Sequence, residues 1–304
     1  MGPDCGAPAA PAHGRPFQVS GHPDSLTLLG QGDEWIVKQC HESEALFYQS
    51  VWFSEERGPP PEMRSALREL MPDCAGVADP QGVLLPGWPP VARGGKLPSD
   101  GQHAKLVLEN LCRPFRRANI SDIKLGTMLY NPHNPKLTAD KRRRMQVKAA
   151  TTTSGSFGLR FTGWQTWDAA GGTYRRVGKE PGRRAADLDD LYELWATVLQ
   201  WDDAALRPAR RRVLQEYIMP QLETLVHVLQ TLDVRLPGAS ILLIVEADPP
   251  TLEAHLAACT SPVSMRLIDF AHSRWCPGEG PDLGFLQGLD TLQQLCARTL
   301  ASDA

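Results

Sequence analysis

Apolar positions along this chain fall into short runs with two different spacings, divided by Pro- and Gly-rich breaks. Alternating or continuous apolar runs read as strands, and apolar residues three and four apart read as helices. Ser25–Leu29 and Glu34–Gln39 predict two strands joined by the turn Gly30-Gln31-Gly32-Asp33. Helical spacing over Glu42–Phe53 follows, and Pro59-Pro60-Pro61 stops it because proline cannot continue a helix. A short helix over Ser65–Leu70, a strand pair over Val77–Leu85 and a loop over Gly87–Gly101 come next. Lys105–Leu111 is a near-continuous apolar run, read as a buried strand.

The second part of the chain continues in the same way. Asn119–Tyr130 predicts a strand, Thr138–Ala150 a basic helix capped by Thr138, and Thr151–Gly158 a loop of small residues. Leu159–Trp167 reads as a strand or hairpin arm before the Gly171-Gly172 turn. Asp187–Trp201 is an amphipathic helix, and Pro208–Leu232 a longer one kinked at Pro220. Ser240–Glu246 and Ser264–Phe270 read as a strand hairpin, and Gly284–Leu300 as a closing helix. No internal repeat occurs. The pattern predicts a tail over 1–16, a β-rich N-lobe over 17–111 and a larger C-lobe over 112–304.

Composition narrows the class. With 304 residues, 42% hydrophobic and 22% charged, the chain is long enough for one large domain or two lobes sharing a cleft. No run approaches the ~18 apolar residues of a membrane span, so no stable membrane insertion is expected. Met1 to Arg15 lacks an apolar signal core, which argues against secretion, and its Pro, Ala and Gly content predicts disorder. The seven cysteines are scattered without a CxxC and read as reduced thiols of a nuclear or cytoplasmic protein. The net charge of −3 hides a basic stretch over Lys141–Arg184, which suggests an anionic ligand bound at one place.

Four constellations carry candidate chemistry. Asp122 and Lys124 lie two apart in an apolar strand and project to one face; either they pair or a charged ligand sits over them. Asp269, in Ile268-Asp269-Phe270 at a strand exit, is either a turn former or the holder of a divalent cation with its phosphate ligand. Lys38 on a strand and Glu44 on the next helix match the phosphate-holding pair of protein kinases, or an ordinary exposed lysine. In the run Lys141-Arg142-Arg143-Arg144, helical spacing puts Arg144 and Lys148 on one face. That face is either solvated or aimed at a ligand; a nuclear localisation signal is the other reading. Nucleic acid is not the expected partner, because no recognition motif accompanies the charge.

Order and spacing together resemble the inositol polyphosphate kinase family. Its Pro-x-x-x-Asp-x-Lys-x-Gly signature is matched by Ala118-Asn119-Ile120-Ser121-Asp122-Ile123-Lys124-Leu125-Gly126, with Ala118 in place of proline. Its Ile-Asp-Phe-Ala-His segment is reproduced at Ile268–His272, its Asp-x-Gly element at Asp282–Gly284, and its Lys-x-x-Gly-Arg at Lys179, Gly182 and Arg183. Ala239-Ser240-Ile241-Leu242 is a looser match to its Ser-Ser-Leu-Leu strand. The similarity runs from Leu26 to Leu300.

The resemblance implies an α+β, two-lobed fold, protein-kinase-like or ATP-grasp-like, with ATP and Mg²⁺ in the inter-lobe cleft. It implies that Lys38 contacts ATP phosphates, that Glu109 and Leu111 hold the adenine through backbone groups, and that Asp122 binds the ribose. Lys124 would reach the transferred phosphate and the inositol substrate, and Asp269 would bind Mg²⁺ with Ser240 as a neighbour. His272, Arg142, Arg143, Arg144 and Lys148 would grip substrate phosphates. The short stretch between Tyr130 and Phe161 leaves room for about one or two helices over the inositol site. An open site of that kind suits a monomer acting on tris- and tetrakisphosphates toward the pentakisphosphate, with a phosphoinositide headgroup as a second substrate. The alternatives are a hexakisphosphate kinase making pyrophosphates and a non-catalytic scaffold that binds an inositol phosphate.

Overall fold

In the computed structural model, residues 25–29, 32–52, 59–85 and 103–302 are described. The tail over 1–16 and the whole of the Gly87–Gly101 loop lie outside them. Two antiparallel sheets organise the chain. The first takes β1 (Leu26–Leu29), β2 (Trp35–His41), β3 (Cys74–Ala78) and β4 (His103–Glu109) in the order β1-β2-β4-β3. Helices α1 (Glu42–Trp52) and α2 (Pro61–Arg68) fall between β2 and β3. Pro61 ends the proline run yet opens α2, since a first-turn residue needs no intrahelical N–H bond.

The second sheet begins with β5 (Ala118–Leu125), which stops at Gly126, earlier than the apolar pattern suggested. Gly126 has φ +93°, a backbone region that side chains with a Cβ rarely enter. Then come α3 (Ala139–Ala150), α4 (Thr153–Phe157), β6 (Leu159–Asp168), β7 (Thr173–Val177), α5 (Glu180–Arg184) and α6 (Leu188–Leu199). Thr138 caps α3 as expected, its hydroxyl accepting from Lys141 N. The small-residue stretch after α3 is not a plain loop: α4 occupies most of it, against the expectation.

The long helix expected over 208–232 is three pieces. These are α7 (Arg207–Val213), a π-helical turn at Leu214–Ile218 and α8 (Met219–Leu229). Pro220 sits in the first turn of α8, and its missing N–H coincides with the wide turn before it. The chain then forms β8 (Val234–Arg235), β9 (Ser240–Glu246), α9 (Pro249–Ala257), β10 (Val263–Ile268), β11 (Arg274–Trp275) and α10 (Leu283–Ala301). β9 and β10 pair antiparallel as expected, but α9 separates them, so they are not a hairpin. The sheet order is β10-β9-β5-β6-β7.

The core is continuous across both sheets. It runs from Leu106 and Leu108 on β4 to Ile123 and Leu125 on β5 and on to Leu289 and Leu292 on α10. Phe270 is its link between sheets: fully buried, it stacks on Phe47 at 5.2 Å and meets Tyr48 edge-on at 5.5 Å. Two hydrogen bonds reinforce the junction, Ser43 Oγ to Ala271 O at 2.7 Å and Trp275 Nε1 to Ser50 Oγ at 3.0 Å. The segment after β10 is therefore fixed against α1, which carries Glu44 and directly follows the strand of Lys38. Among the described residues no helix is long and apolar enough to cross a membrane.

Candidate active site

Strand alternation divides the second sheet into two faces. Ile123, Leu125, Ile241 and Leu243 face the main core. Asp122, Lys124 and Ser240 project from the other side. Register lines up one row across four strands: Ile268 beside Ser240, Ser240 beside Lys124, and Lys124 beside Arg160. Asp269 follows Ile268 at the end of that row.

Asp269 is where the two sheets meet chemically. Lys38 Nζ donates to its Oδ1 at 2.6 Å and to Glu44 Oε1 at 2.7 Å. Asp269 has φ +66°, an unfavourable left-handed conformation that aspartate tolerates better than most residues and that recurs at functional sites. Burial alone would raise the Asp269 carboxyl, but Lys38 and then Lys124 hold it below its ordinary value. Burial raises the Glu44 carboxyl. For Lys38 burial works downward, but Asp269 and Glu44 outweigh it and keep the ammonium firmly charged.

Lys124 donates to the Gly238 carbonyl. Gly238 also lies against His272: a Cβ there would be 3.8 Å from His272 Cδ2 and 3.9 Å from Lys124 Nζ. Burial, then Lys141 and Lys124, push His272 down to about 4. It is neutral at physiological pH, so the group it can offer an anion is a neutral hydrogen-bonding ring and not a cation. Asp282 holds this corner together. Its Oδ1 caps α10 through Phe285 N at 3.1 Å, and its Oδ2 accepts from Leu236 N at 2.9 Å, two residues before Gly238.

Beyond Lys124 opens a basic groove of about 570 Å³, lined by Arg143, Arg144, Val147, Lys148, Thr151, Thr152 and Arg183. Arg160 is 2% exposed and donates to Thr152 Oγ1 at 3.1 Å on its rim. Burial, then Arg160, Lys124, Arg183 and Lys179, lower Lys148 to about 8. Four cations crowd Lys148, an arrangement able to receive a multivalent anion. Of the four α3 residues expected to grip phosphates, Lys148 is at the centre of this charge. Arg143 and Arg144 line the groove, but Arg142 does not, and Lys141 is the α3 residue whose charge reaches His272.

The remaining expectations fare differently. Asp122 is 2% exposed, and its charge reaches Arg160 on the neighbouring strand. Glu109 N is taken by Asp73 O at 2.8 Å, which leaves the carbonyl as the backbone group Glu109 could offer an adenine. Among the described residues no hydrogen bond engages the Leu111 amide, so it remains a donor for the same purpose. Ser240 is fully buried and its hydroxyl has no partner among the described residues.

A metal fits this corner in one way. Among the described residues no cluster of three His, Cys, Asp or Glu side chains could cage an ion. Mg²⁺ does not require one: it keeps waters and takes further oxygens from phosphates, needing one or two carboxylates. Asp269 supplies a carboxylate at the cleft, and the unpartnered Ser240 hydroxyl lies one register pair away.

Sequence reasoning passed over three groove residues as individual ligands: Arg160, Lys179 and Arg183. A signal was present for Arg160, a charge inside the apolar strand Leu159–Trp167, the same anomaly that marked Asp122 and Lys124.

A lysine–glutamate–aspartate bridge between two sheets, beside a polycationic groove, defines a kinase-like phosphotransferase with an α+β fold. The sequence profile described as "Inositol polyphosphate kinase" matches residues 105–297, and the chain belongs to that family. It is 27% identical over 263 residues to the inositol polyphosphate multikinase of Schizosaccharomyces pombe, covering 86% of this chain and 88% of that protein. With the inositol polyphosphate multikinase of Saccharomyces cerevisiae the identity is 29% over 242 residues, 62% of this chain and 66% of the other. Further relatives are named inositol hexakisphosphate kinases, and the match spans about half of their length. The crystal structure of the S. cerevisiae inositol phosphate multikinase Ipk2 in complex with ADP and Mn²⁺ superposes with a TM-score of 0.68 at 26% identity. That match covers 88% of this chain and 99% of the other.

Proposed function

We propose that this protein is an inositol polyphosphate multikinase, transferring the γ-phosphoryl group of ATP to inositol tris- and tetrakisphosphates toward the pentakisphosphate. The observation that carries the reading is the Lys148 field: a half-buried lysine surrounded by Lys124, Arg160, Arg183 and Lys179 a short way from the Lys38–Asp269 bridge. Donor and acceptor are both polyanions, so bringing them together needs this density of fixed positive charge. Coverage of 88% of the S. pombe multikinase, against about half of the hexakisphosphate kinases, favours the multikinase branch over the pyrophosphate-forming one.

In this reading the first sheet is the core of an N-lobe ending at residue 111, and the second that of a C-lobe. Lys38 holds ATP phosphates, with Glu44 keeping its ammonium in place. Asp269 and the Ser240 hydroxyl are the groups that would hold Mg²⁺, which when bound neutralises phosphate charge. Lys124 lies between nucleotide and acceptor and steadies the moving phosphoryl group. Arg143, Arg144 and Lys148 orient the acceptor, with His272 as a neutral partner. Catalysis comes from positioning and electrostatics.

The same groove suits a phosphoinositide headgroup as a second substrate, since Val147 on its wall is an exposed apolar side chain. We further propose that the enzyme acts as a monomer in the nucleus or cytoplasm. The test is incubation with Mg-ATP and a panel of inositol phosphates, with product positions resolved. Conversion of tris- and tetrakisphosphates is the expected result. Turnover of hexakisphosphate alone would assign the pyrophosphate-forming activity instead, and no turnover would leave a binding scaffold.

A further inference from the structure

The groove has two walls, and the second is held by backbone packing. α3 supplies Arg143, Arg144 and Lys148, while Arg183 comes from α5. Lys179 directly precedes α5, and its charge also reaches Lys148. Both Lys179 and Arg183 are exposed, and α5 is only five residues long. Nothing in so short a helix fixes its own position. What fixes it is Gly182, which is buried against β6: a Cβ there would lie 1.9 Å from the Phe161 carbonyl oxygen and 2.9 Å from the carbonyl carbon. Those atoms belong to a fully buried strand residue that pairs with Ile123 and follows Arg160 directly. They cannot move aside as a flexible side chain would.

We propose that Gly182 is a positioning residue for substrate affinity. By letting α5 rest backbone-to-backbone on β6, it sets Lys179 and Arg183 at the distance from Lys148 and Arg160 at which one polyphosphate touches both walls. The Arg183 guanidinium is further steered by Glu180, which accepts from its Nη1 at 2.9 Å. The spacing Lys179–Gly182–Arg183 then has a physical reason: two cations flank the one residue whose lack of a side chain seats them. The inference rests on the reading of the groove as the inositol polyphosphate site.

The test uses full-length wild type, Gly182→Ala, Arg183→Gln and the double variant. It reads steady-state KM for inositol tetrakisphosphate and for ATP, calorimetric affinity for inositol tetrakisphosphate and for ADP, and Tm. Gly182→Ala raises the KM and Kd for the inositol phosphate about tenfold, as one lost charge-assisted phosphate contact does, with ATP KM and ADP affinity within about twofold. Arg183→Gln, on an exposed side chain, does the same without a change in Tm. The double variant is no worse than Gly182→Ala, because displacing α5 already removes the Arg183 contact. Arg183→Lys recovers part of the loss. An unchanged inositol phosphate KM in Arg183→Gln would overturn the proposal even if Gly182→Ala fails to fold. So would equal loss of nucleotide and inositol phosphate affinity in Gly182→Ala, or additive losses in the double variant. Failure of the wild type to bind or convert inositol tetrakisphosphate would overturn the proposed function itself.

Discussion

Lys38 reaches across from the first sheet to Asp269 at the end of β10, Nζ to Oδ1 2.6 Å. In the chain without ligands, the carboxylate that suits a metal is thus already paired. Lys38→Met removes that pairing. We expect Mn²⁺ alone to bind Lys38→Met several times more tightly than wild type, because the carboxylate no longer shares its charge, while ADP binds about tenfold more weakly. Titration of free Mn²⁺ by electron paramagnetic resonance and of ADP by calorimetry measures both. Equal Mn²⁺ affinity in the two proteins would mean that the bridge does not restrain the metal.

Asp269→Asn and Lys124→Ala should each reduce phosphoryl transfer by about a thousandfold or more, the scale of removing a charge aimed at the transition state. Asparagine is the right replacement at 269, since it tolerates the left-handed conformation that Asp269 occupies. The fold should survive both changes, which circular dichroism and Tm will report. Near wild-type kcat in either variant would strip the residue of its role.

Much of this centre was legible beforehand because charged residues in apolar strands are rare enough to stand out. Asp122, Lys124 and Asp269 were found that way, and Thr138 announced the start of α3 by its capping chemistry. The second wall of the groove was harder to read. Arg183 stands in a polar stretch, where no period or apolar context separates a ligand from a solvated arginine. α4 was missed because Thr151–Gly158 has turn composition, although the packing of Gly155 on the end of α3 favours a helix there.

Reversing charge on α3 should separate acceptor from nucleotide. Arg143→Glu with Arg144→Glu is expected to raise the KM for inositol tetrakisphosphate at least tenfold while the ATP KM stays within about twofold. The difference from wild type should shrink as salt rises, since both arginines are exposed. If the inositol phosphate KM does not move, α3 is not part of the acceptor site.

Asp282 ties the start of α10 to the segment that leads to Gly238. Asp282→Ala removes the α10 cap and leaves Leu236 N without its carboxylate partner. A loss of about 1–2 kcal/mol in urea unfolding is expected from the cap. A small loss of kcat should accompany it, because the segment leading to Gly238 orients Lys124. Asp282→Asn keeps an acceptor at the cap and should recover most of the stability. An unchanged unfolding midpoint in the alanine variant would contradict the capping role.

The strongest pH signature should come from Lys148, lowered from 10.5 to about 8 by burial and by its cationic neighbours. Between about 8 and 10.5 the unfolded chain carries one proton more at this site than the folded one, so this residue makes stability rise with pH through that window. Substrate affinity must run the other way. A bound polyphosphate favours the charged amine, so binding near pH 8 takes up a proton, and affinity falls as pH rises further. Calorimetry of inositol tetrakisphosphate binding at pH 8, in two buffers of different ionisation enthalpy, should show that uptake as a difference in apparent enthalpy. Lys148→Arg should abolish the difference while retaining affinity, because arginine stays charged. Identical enthalpies in the two buffers for the wild type would place Lys148 outside the anion's reach.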